Sequence, residues 1–363
     1  MHKKTKKFIP LIAISSGDPA GIGPEISFKA VEYLSKGNLC SFLIFAHETD
    51  WRRWKSEKKN KNIEIQLLEG IEQIKVPKER NKPAGKIFII DTGQRIRPTW
   101  KKGKPTEESG AMSLESLKSA LLCVMKGYAD ALVTPPVSKE WANRVEKFQG
   151  HTEYLASFAG IPSDRVLMTF ITHTHDILKK GRPILISTIT RHIPLRLVPS
   201  SLTAEKIAKG VTLLCTSLVR NFGVKKPKVG ICSLNPHASD GGMFGKEESE
   251  IIAIGVEKSK RQLTRTKWGK KVKLIGPEGA DGLMRKVNLR EIDGVIAMFH
   301  DQAMIAVKSM VQNVWAGLTL GLPFIRTTPS HGTAFDIANL QSADASSMIK
   351  AIEIASILVL KKR

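Results

Sequence analysis

Acidic residues are scarce in this sequence, and aromatic residues are few. The 363 residues include 34 Asp and Glu against 57 Lys and Arg, which gives a formal net charge of +23 at pH 7, and aromatic residues make up 6% of the chain. So basic a protein invites a nucleic-acid-binding function, which we keep as the alternative from another class. The basic runs are scattered, however, and the sequence has no ribonucleoprotein-type aromatic motif, zinc-finger spacing or basic heptad region. We therefore expect a lysine-rich surface that attracts anionic small molecules, and no specific nucleic-acid partner.

Cysteines are few, and long hydrophobic runs are missing. The four cysteines, Cys40, Cys123, Cys215 and Cys232, stand far apart in apolar surroundings. No close pair suggests a zinc ribbon or a redox site, and we expect buried free thiols in a reducing cytoplasm. No stretch approaches the roughly 18 uninterrupted apolar residues of a membrane helix, so we expect no membrane partner. The basic start, Met1–Lys7, leads into a short apolar run without a small-residue cleavage site, which favours a solvated tail over a signal peptide.

Short apolar runs alternate with longer amphipathic segments along the whole chain. This alternation predicts an α/β fold with a mostly parallel sheet, and the length favours two domains. The predicted strands are Ile9–Ile14, Ser41–Ala46, Lys86–Ile90, Ala131–Thr134, Arg165–Phe170, Ile184–Thr188, Val229–Ser233 and Gly294–Met298. The predicted helices are Pro24–Leu34, Ser113–Lys126 and Thr203–Phe222. The lysine-rich stretch Trp51–Asn62 is predicted to be an exposed helix or loop.

Three histidines stand in polar turns directly after predicted strands. They are His192, His237 and His300. Ligands of open α/β sheets bind beyond the carboxyl ends of the strands, and imidazole suits zinc, cobalt, iron and nickel. The three could therefore converge on one divalent metal, although their spacing in sequence does not require it. A rival metal candidate is the His173 and His175 pair, for which a polar loop is the favoured interpretation.

Two polar turns have unusual compositions. Ser16–Glu25 is rich in Gly and Pro but lacks the dinucleotide fingerprint, so a ligand cradle and a plain strand–helix connection both remain open. Leu234–Glu248 packs a histidine, acids and glycines into one turn and is interpreted as functional. Arg326 stands beside threonines, an arrangement that suits phosphate. Lys308 is a candidate anion ligand or proton-transfer group.

Seven motifs in this order resemble the 4-hydroxythreonine-4-phosphate dehydrogenase family of vitamin B6 synthesis. The resemblance covers Gly17 to about Ala338, nearly the whole chain. The motifs are Gly17–Glu25 (GDPAGIGPE), Gly150–Glu153 (GHTE), His192–Leu195 (HIPL), Leu234–Ala238 (LNPHA), His300–Gln302 (HDQ), Leu320–Thr327 (LGLPFIRT) and His331–Ala338 (HGTAFDIA). Each motif is weak alone, but their combination is highly specific.

The resemblance implies a two-domain α/β fold like that of isocitrate and isopropylmalate dehydrogenases, with the active site in the interdomain cleft. It implies a first domain of residues 1–136 and 316–363 that contributes to NAD binding, and a second of residues 137–315 that contributes the metal and the dimer interface. It further implies a homodimer with shared active sites. NAD is the expected cofactor and NADP its alternative. Zinc is the expected metal, with magnesium and cobalt as alternatives.

The resemblance also assigns residues to roles. It places metal ligation at His192, His237 and His300, in agreement with the pattern described above. It places substrate contacts at His151, Thr152, Lys308 and Arg326, and cofactor contacts at His331, Gly332, Thr333 and Asp336. Asp281 and Asp301 are candidates to orient metal-bound histidines or to move a proton, as is Lys308 for proton transfer.

The family reaction oxidises a secondary alcohol by hydride transfer to NAD, after which the β-keto acid loses carbon dioxide. A metal would act as the Lewis acid, and the groups at the phosphate would orient the reacting carbon. This sequence departs from the family pattern at Pro135, at Ser239 and Asn339 (both glycine in the family), and at Gly317, where a substrate-contacting asparagine is expected. These departures keep a second substrate open, namely another four-carbon phosphorylated hydroxy acid such as a threonate or erythronate phosphate.

Overall fold

The computed structural model describes residues 8–57, 60–74, 84–93, 98–172, 183–310 and 314–362. The chain divides into two compact units. One holds the described residues up to Leu155 and from Pro323 onward, and the other is Ala156–Leu322. The first unit is thus built from both ends of the chain. The boundaries predicted from the sequence, after residues 136 and 315, lie earlier along the chain than these.

The first unit contains a parallel sheet with the strand order β3-β4-β2-β1-β5-β12. Every residue of β1 and β2 is buried, and both strands are nearly continuous apolar runs, as expected for parallel strands covered on both faces. The strands are β1 (Leu11–Ser15), β2 (Ser41–Ala46), β3 (Ile65–Leu68), β4 (Ile87–Asp91), β5 (Ala131–Val133) and, from the returning chain, β12 (Ile325–Pro329).

The helices of this unit are α1 (Gly23–Ser35), α2 (Glu48–Ser56), α3 (Glu107–Met125), α4 (Lys139–Val145), α5 (His151–Phe158), in which the unit boundary falls, and the last helix, α11 (Ser346–Lys361). The α1, α3 and α11 helices pack against strands of the sheet, whereas α2 packs on α1 and α4 packs on α3. The α3 helix begins at a capping box in which Thr106 and Ser109 exchange side chain to backbone hydrogen bonds. This polar first turn explains why the helix starts before Ser113, the start predicted from apolar spacing.

The second unit contains a mixed sheet with the order β11-β6-β7-β10-β8-β9. β6 is antiparallel to β11 and β7, whereas β10 is parallel to β7 and β8, and β8 is parallel to β9. The strands are β6 (Leu167–Thr172), β7 (Ile184–Thr188), β8 (Lys228–Cys232), β9 (Lys273–Glu278), β10 (Gly294–Ala297) and β11 (Trp315–Leu320). The helices are α6 (Val198–Ser201), α7 (Ala204–Arg220), α8 (Ala253–Thr264), α9 (Ala280–Asn288) and α10 (His300–Ser309).

The predicted α/β class with mostly parallel strands is confirmed. The Trp51–Asn62 stretch was expected to be exposed, but α2 buries Trp51 and Trp54, and Trp54 stacks on Phe28 with ring centroids 4.9 Å apart. All four cysteines are free and buried as expected, and burial raises the pKa of each thiol to about 12. None of the helices in the described ranges has the length and apolar character that a membrane span requires.

Ser116 of α3 connects the helix to two strands of the first sheet. Its buried hydroxyl accepts the backbone N–H of Ser16 at 2.8 Å and donates to the carbonyl of Phe45 at 2.6 Å. These bonds fix the ends of β1 and β2, where the chain enters polar turns.

Replacing Ser116 with alanine should destabilise the protein by about 1–3 kcal/mol, because a buried N–H and a buried carbonyl both lose their partner. Urea unfolding would measure the change in free energy. Ser119→Ala on the same helix is the control, since the Ser119 hydroxyl bonds to the exposed Glu115 at 3.3 Å. Equal stability of the two variants would contradict this role of Ser116.

Candidate functional site

Three histidines follow three neighbouring strands of the second unit. β10 pairs in parallel with β7 on one side and β8 on the other. The carboxyl ends of the three strands therefore lie at the same edge of the sheet, followed by His192 after β7, His300 after β10 and His237 after β8. The prediction that these histidines occupy equivalent strand ends is confirmed.

Hydrogen bonds across the strand ends hold this edge together. The Thr190 hydroxyl and N–H donate to the Met298 carbonyl at 2.8 and 3.1 Å, which joins the segment after β7 to the segment after β10. Gln302 accepts the Met298 N–H and donates to the Ser233 carbonyl, both at 2.8 Å, which joins the start of α10 to the end of β8. The backbones that carry the three histidines are thus tied to one another.

His192 and His300 come together in a geometry that fits two ligands of one metal ion. Their ring centroids are 5.3 Å apart with a tilt of 46°. Two imidazoles that bind one tetrahedral zinc through nitrogens at about 2.0–2.1 Å have ring centroids roughly 5 Å apart. Nδ1 of His300 lies 2.7 Å from Oδ1 of Asp301. A carboxylate only accepts hydrogen bonds, so this contact orients the His300 ring and leaves Nε2 to bind a ligand.

The third histidine is not brought into this cluster. Within the described ranges, no group of three or more His, Cys, Asp or Glu side chains is placed so that it could hold a metal ion. The full ligand set of His192, His237 and His300 therefore stays a prediction, and what the structure shows of it is the spacing of the His192 and His300 rings. Lys308 is exposed in the last turn of α10, and Asp281 is exposed in the first turn of α9. The rival pair, His173 and His175, lies outside the described residues.

His237 begins a short left-handed segment. Five consecutive residues, His237 to Gly241, have positive φ values between 42° and 69°. Left-handed conformations cost non-glycine residues roughly 1–2 kcal/mol each, so the four non-glycine residues here carry a substantial penalty. The segment buries little, because His237 and Asp240 are exposed and so are Met243 and Phe244 just beyond it. Hydrophobic packing therefore does not explain its conformation.

A buried carboxylate organises this segment. Oε1 of Glu248 accepts the N–H groups of Leu234 and Asn235, both at 2.8 Å, and Oε2 accepts the Asn235 amide at 3.1 Å and the Ser239 hydroxyl. Burial acts to raise the pKa of Glu248, but these hydrogen bonds outweigh it and hold the pKa below its ordinary value. Hydrogen bonds to a charged group contribute about 1.5–3 kcal/mol each, enough to offset the left-handed backbone.

The first unit contains a cluster of cationic groups around Arg326. Arg326 on β12 is only 4% exposed, and its Nε and Nη2 donate to the hydroxyl of Thr134, which follows β5, at 3.0 and 2.5 Å. β5 and β12 are paired, so the sheet itself places the two residues side by side. Burial lowers the pKa of Arg326 while the nearby Glu153 carboxylate raises it, and the guanidinium stays charged at neutral pH.

His151 and Thr152 begin the α5 helix beside this arginine. Burial, Arg326 and Lys139 all lower the pKa of His151 well below its ordinary value, so the imidazole is neutral at pH 7. Its Nε2 is buried without a hydrogen-bond partner among the described residues, and its ring packs edge-on against Phe148. A neutral imidazole with an open nitrogen beside a guanidinium suits a phosphate, because both can donate to its oxygens.

Lys139 is a member of this cluster that sequence analysis missed. A Cβ on Gly150 would stand 3.9 Å from Lys139 Nζ and 3.2 Å from Glu153 Oε2, so both side chains converge on this glycine. Sequence analysis also assigned no role to Thr134, Glu153 and Glu248. The available signals were that Thr134 ends a predicted strand, that Glu153 lies in the GHTE motif and that Glu248 ends the polar turn Leu234–Glu248.

The Gly/Pro turn after β1 packs against the predicted cofactor loop. The Ile22 N–H donates to the Thr333 carbonyl at 3.0 Å, and a Cβ on Gly21 would stand 2.6 Å from that same oxygen. Gly17, at φ 71°, contacts Pro135 and Pro136 in the same way. The protein's own packing thus accounts for these glycines, which favours the plain strand–helix connection. Of the cofactor candidates, His331 and Thr333 are half-buried, and Gly332 and Asp336 are exposed.

Comparison with known proteins places these features in one family. The family model described as pyridoxal phosphate biosynthetic protein PdxA matches residues 38–355. The 4-hydroxythreonine-4-phosphate dehydrogenase of Sulfurihydrogenibium sp. (strain YO3AOP1) is 34% identical over 348 residues, 96% of this chain and 98% of the relative. That of Vibrio vulnificus (strain CMCP6) is 33% identical over 355 residues, 97% of this chain and 99% of the relative.

Solved structures agree with the sequence relatives. A putative 4-hydroxythreonine-4-phosphate dehydrogenase from Salmonella typhimurium superposes with a TM-score of 0.76 at 28% identity, covering 96% of this chain and 99% of the other. The 4-hydroxythreonine-4-phosphate dehydrogenase from Klebsiella pneumoniae gives a TM-score of 0.75 at 28% identity, covering 97% and 98%. The similarity therefore extends over nearly the full length of both chains.

Asp18, in the turn after β1, generates a pH-dependent prediction. Burial raises the pKa of this carboxyl to about 6, against the Ala20 N–H bond and the nearby Ser109 and Lys102, which lower it. A carboxyl whose pKa is raised in the folded state stabilises the fold below its unfolded pKa of about 3.9 and loses that contribution as pH rises through about 6.

Asp18→Asn should therefore gain stability relative to the natural protein between pH 5 and pH 8, by an amount on the order of 1–3 kcal/mol. The asparagine Oδ1 can still accept the Ala20 N–H, so the turn keeps its hydrogen bond. Urea unfolding at both pH values measures the difference. Asp164→Asn is the control, since Lys209 lowers the pKa of Asp164 out of this range. An unchanged pH dependence in Asp18→Asn would show that Asp18 does not titrate there.

Proposed function

Because the chain belongs to the PdxA family of pyridoxal phosphate biosynthetic proteins, we propose that it oxidises 4-hydroxythreonine 4-phosphate with NAD. Hydride leaves the carbon of the secondary alcohol for NAD⁺ and the hydroxyl proton goes to a base, which gives the 3-keto acid. The bond between the carboxylate carbon and the α-carbon then breaks, carbon dioxide leaves, and the enolate that remains takes up a proton on the α-carbon to give 3-amino-2-oxopropyl phosphate. The chain is thus an oxidoreductase, and NADP is the alternative cofactor.

The observation that carries this proposal is the ligand-like spacing of His192 and His300, with Asp301 orienting His300. An inactive relative would have no need to keep this arrangement at the strand ends. We assign the metal to these two histidines and His237, with zinc favoured and magnesium or cobalt as alternatives. When bound, a divalent ion supplies Lewis-acid polarisation at the reacting oxygen.

The other roles follow from charge and position. Arg326 and His151 donate to the phosphate oxygens, with Thr152 and Lys308 as further substrate contacts, and this binding orients the reacting carbon. Asp301 and Lys308 are the proposed groups for proton movement, with Asp281 as the alternative. The loop that contains His331, Gly332, Thr333 and Asp336 is assigned to the cofactor. We further propose that the protein is a cytoplasmic homodimer.

The test is NADH formation by the purified protein with 4-hydroxythreonine 4-phosphate, measured by absorbance with zinc, cobalt or magnesium. His300→Ala should lose activity about 1,000-fold or more because a ligand is removed. Asp301→Asn should lose about 10–100-fold or more, because it removes the carboxylate that orients His300 and is also a proposed proton-transfer group. Metal-independent turnover, or full activity in His300→Ala, would remove the basis for the proposed reaction.

A second substrate has one observation in its favour. Gly317 lies in β11 opposite Phe170 and provides no side chain where the related family is expected to have an asparagine that contacts substrate. The substrate would then be threonate 4-phosphate or erythronate 4-phosphate. We expect kcat/KM for 4-hydroxythreonine 4-phosphate to exceed that for either compound by about tenfold or more, equal to about 1.4 kcal/mol of transition-state binding. The reverse order, measured in one competition assay, would select the second candidate.

A further inference from the structure

The segment that carries His237 is held by one residue outside it. Two of the groups bound to Glu248 precede His237, the N–H groups of Leu234 and Asn235, and the third, the Ser239 hydroxyl, follows it. Glu248 thus contacts the chain on both sides of the histidine. The Asn235 side chain adds a further bond to Glu248 and one to Glu247.

Ser239 has a conformation that its hydroxyl helps to maintain. Its φ is 69°, in the region that glycine adopts freely and other residues avoid. The residue is buried, and its hydroxyl donates to the Glu248 carboxylate. The hydrogen bond therefore opposes the tendency of the backbone at this position to return to a right-handed conformation.

Glu248 itself lies in an unusual backbone. It is the first residue of a single π-helical turn, Glu248–Ile252, that runs directly into α8. Such turns insert one extra residue into a helix and are frequent at functional sites. The π-helical turn places Glu248 at the start of the helix, with its buried carboxylate in contact with the exposed segment that carries His237.

We propose that Glu248 and Ser239 are positioning residues for His237. Glu248 holds the backbone on both sides of the histidine, and Ser239 secures the left-handed turn, so that the imidazole is presented in one orientation. The inference rests on the proposed function for the role of His237, but the ordering of the segment by Glu248 can be tested without it.

The experiment compares Glu248→Gln, Ser239→Ala and Ser239→Gly with Glu250→Gln as the matched control. Glu250 is exposed and lies in the same π-helical turn. Its replacement by glutamine removes one negative charge, as Glu248→Gln does. Hydrogen–deuterium exchange of residues 234–245 is followed by mass spectrometry. Glu248→Gln should speed exchange there by about tenfold or more, because its amide presents N–H groups to donors. Glu250→Gln should stay within twofold of the natural protein.

The zinc dependence separates positioning from general destabilisation. In Glu248→Gln, the zinc concentration that gives half-maximal activity should rise about 10–100-fold, and excess zinc should restore most of kcat. If the lower activity came only from a loss of folded protein, excess zinc would not restore kcat. Ser239→Ala should be more affected than Ser239→Gly, because alanine loses the hydroxyl and keeps the backbone penalty, whereas glycine loses both.

Identical exchange in Glu248→Gln and Glu250→Gln would overturn the proposal. If Glu248→Gln does not fold, the order of the two Ser239 variants decides, and equal exchange in both overturns it. If the natural protein shows no activity that depends on zinc, cobalt or magnesium, the proposed function fails. Faster exchange in Glu248→Gln alone would then still support the ordering of the segment by Glu248.

Discussion

The parallel pairing of β10 with both β7 and β8 is the constraint on which the histidine cluster depends. Asp293, just before β10, fixes this pairing at the opposite end of the strands. Its carbonyl accepts the Leu185 N–H, its N–H donates to the Lys228 carbonyl, and its buried carboxylate accepts the Lys228 N–H at 2.8 Å. A slip of one residue would turn every side chain of a strand to the other face. The contacts of Asp293 at the start of β10 therefore help to fix the strand register that places His192 and His300 side by side at the other end.

The two units present charge in different ways. In the second unit, the imidazoles of His192 and His300 stand at a partly exposed edge of the sheet. An ion can reach them there, and neither of these two side chains is buried. In the first unit a guanidinium is buried, which is costly unless hydrogen bonds and an opposite charge compensate. Thr134 supplies the hydrogen bonds to Arg326, and Glu153 supplies the opposite charge. Arg326 is already desolvated in the folded protein. The free-energy cost of removing water from its guanidinium therefore does not reduce the affinity for a phosphate that binds there.

The sequence predicts what local pattern can encode. Apolar runs predicted eight of the twelve strands in the described residues, and polar residues after them predicted the positions of His192, His237 and His300. β3 and β9 were missed because their residues are largely exposed and β9 contains Gly276 and Pro277. β11 and β12 were missed although they are buried, because their motifs were considered only for chemistry. Contacts such as Arg326 with Thr134 join residues 192 positions apart, which no local pattern specifies.

The departures from the family pattern differ in whether the structure compensates them. Pro135 packs on Gly17, where the absence of a Cβ leaves room for it, and the Ser239 hydroxyl donates a hydrogen bond to Glu248 that offsets the left-handed backbone of Ser239. Both substitutions are thus accommodated by neighbours that the chain also contains. Gly317 is different, because it lies within β11 in register with Phe170 and a glycine offers no side-chain donor or acceptor. Packing and hydrogen bonds from nearby residues can therefore compensate a change in a turn, whereas a side chain missing from a strand takes its donor and acceptor with it.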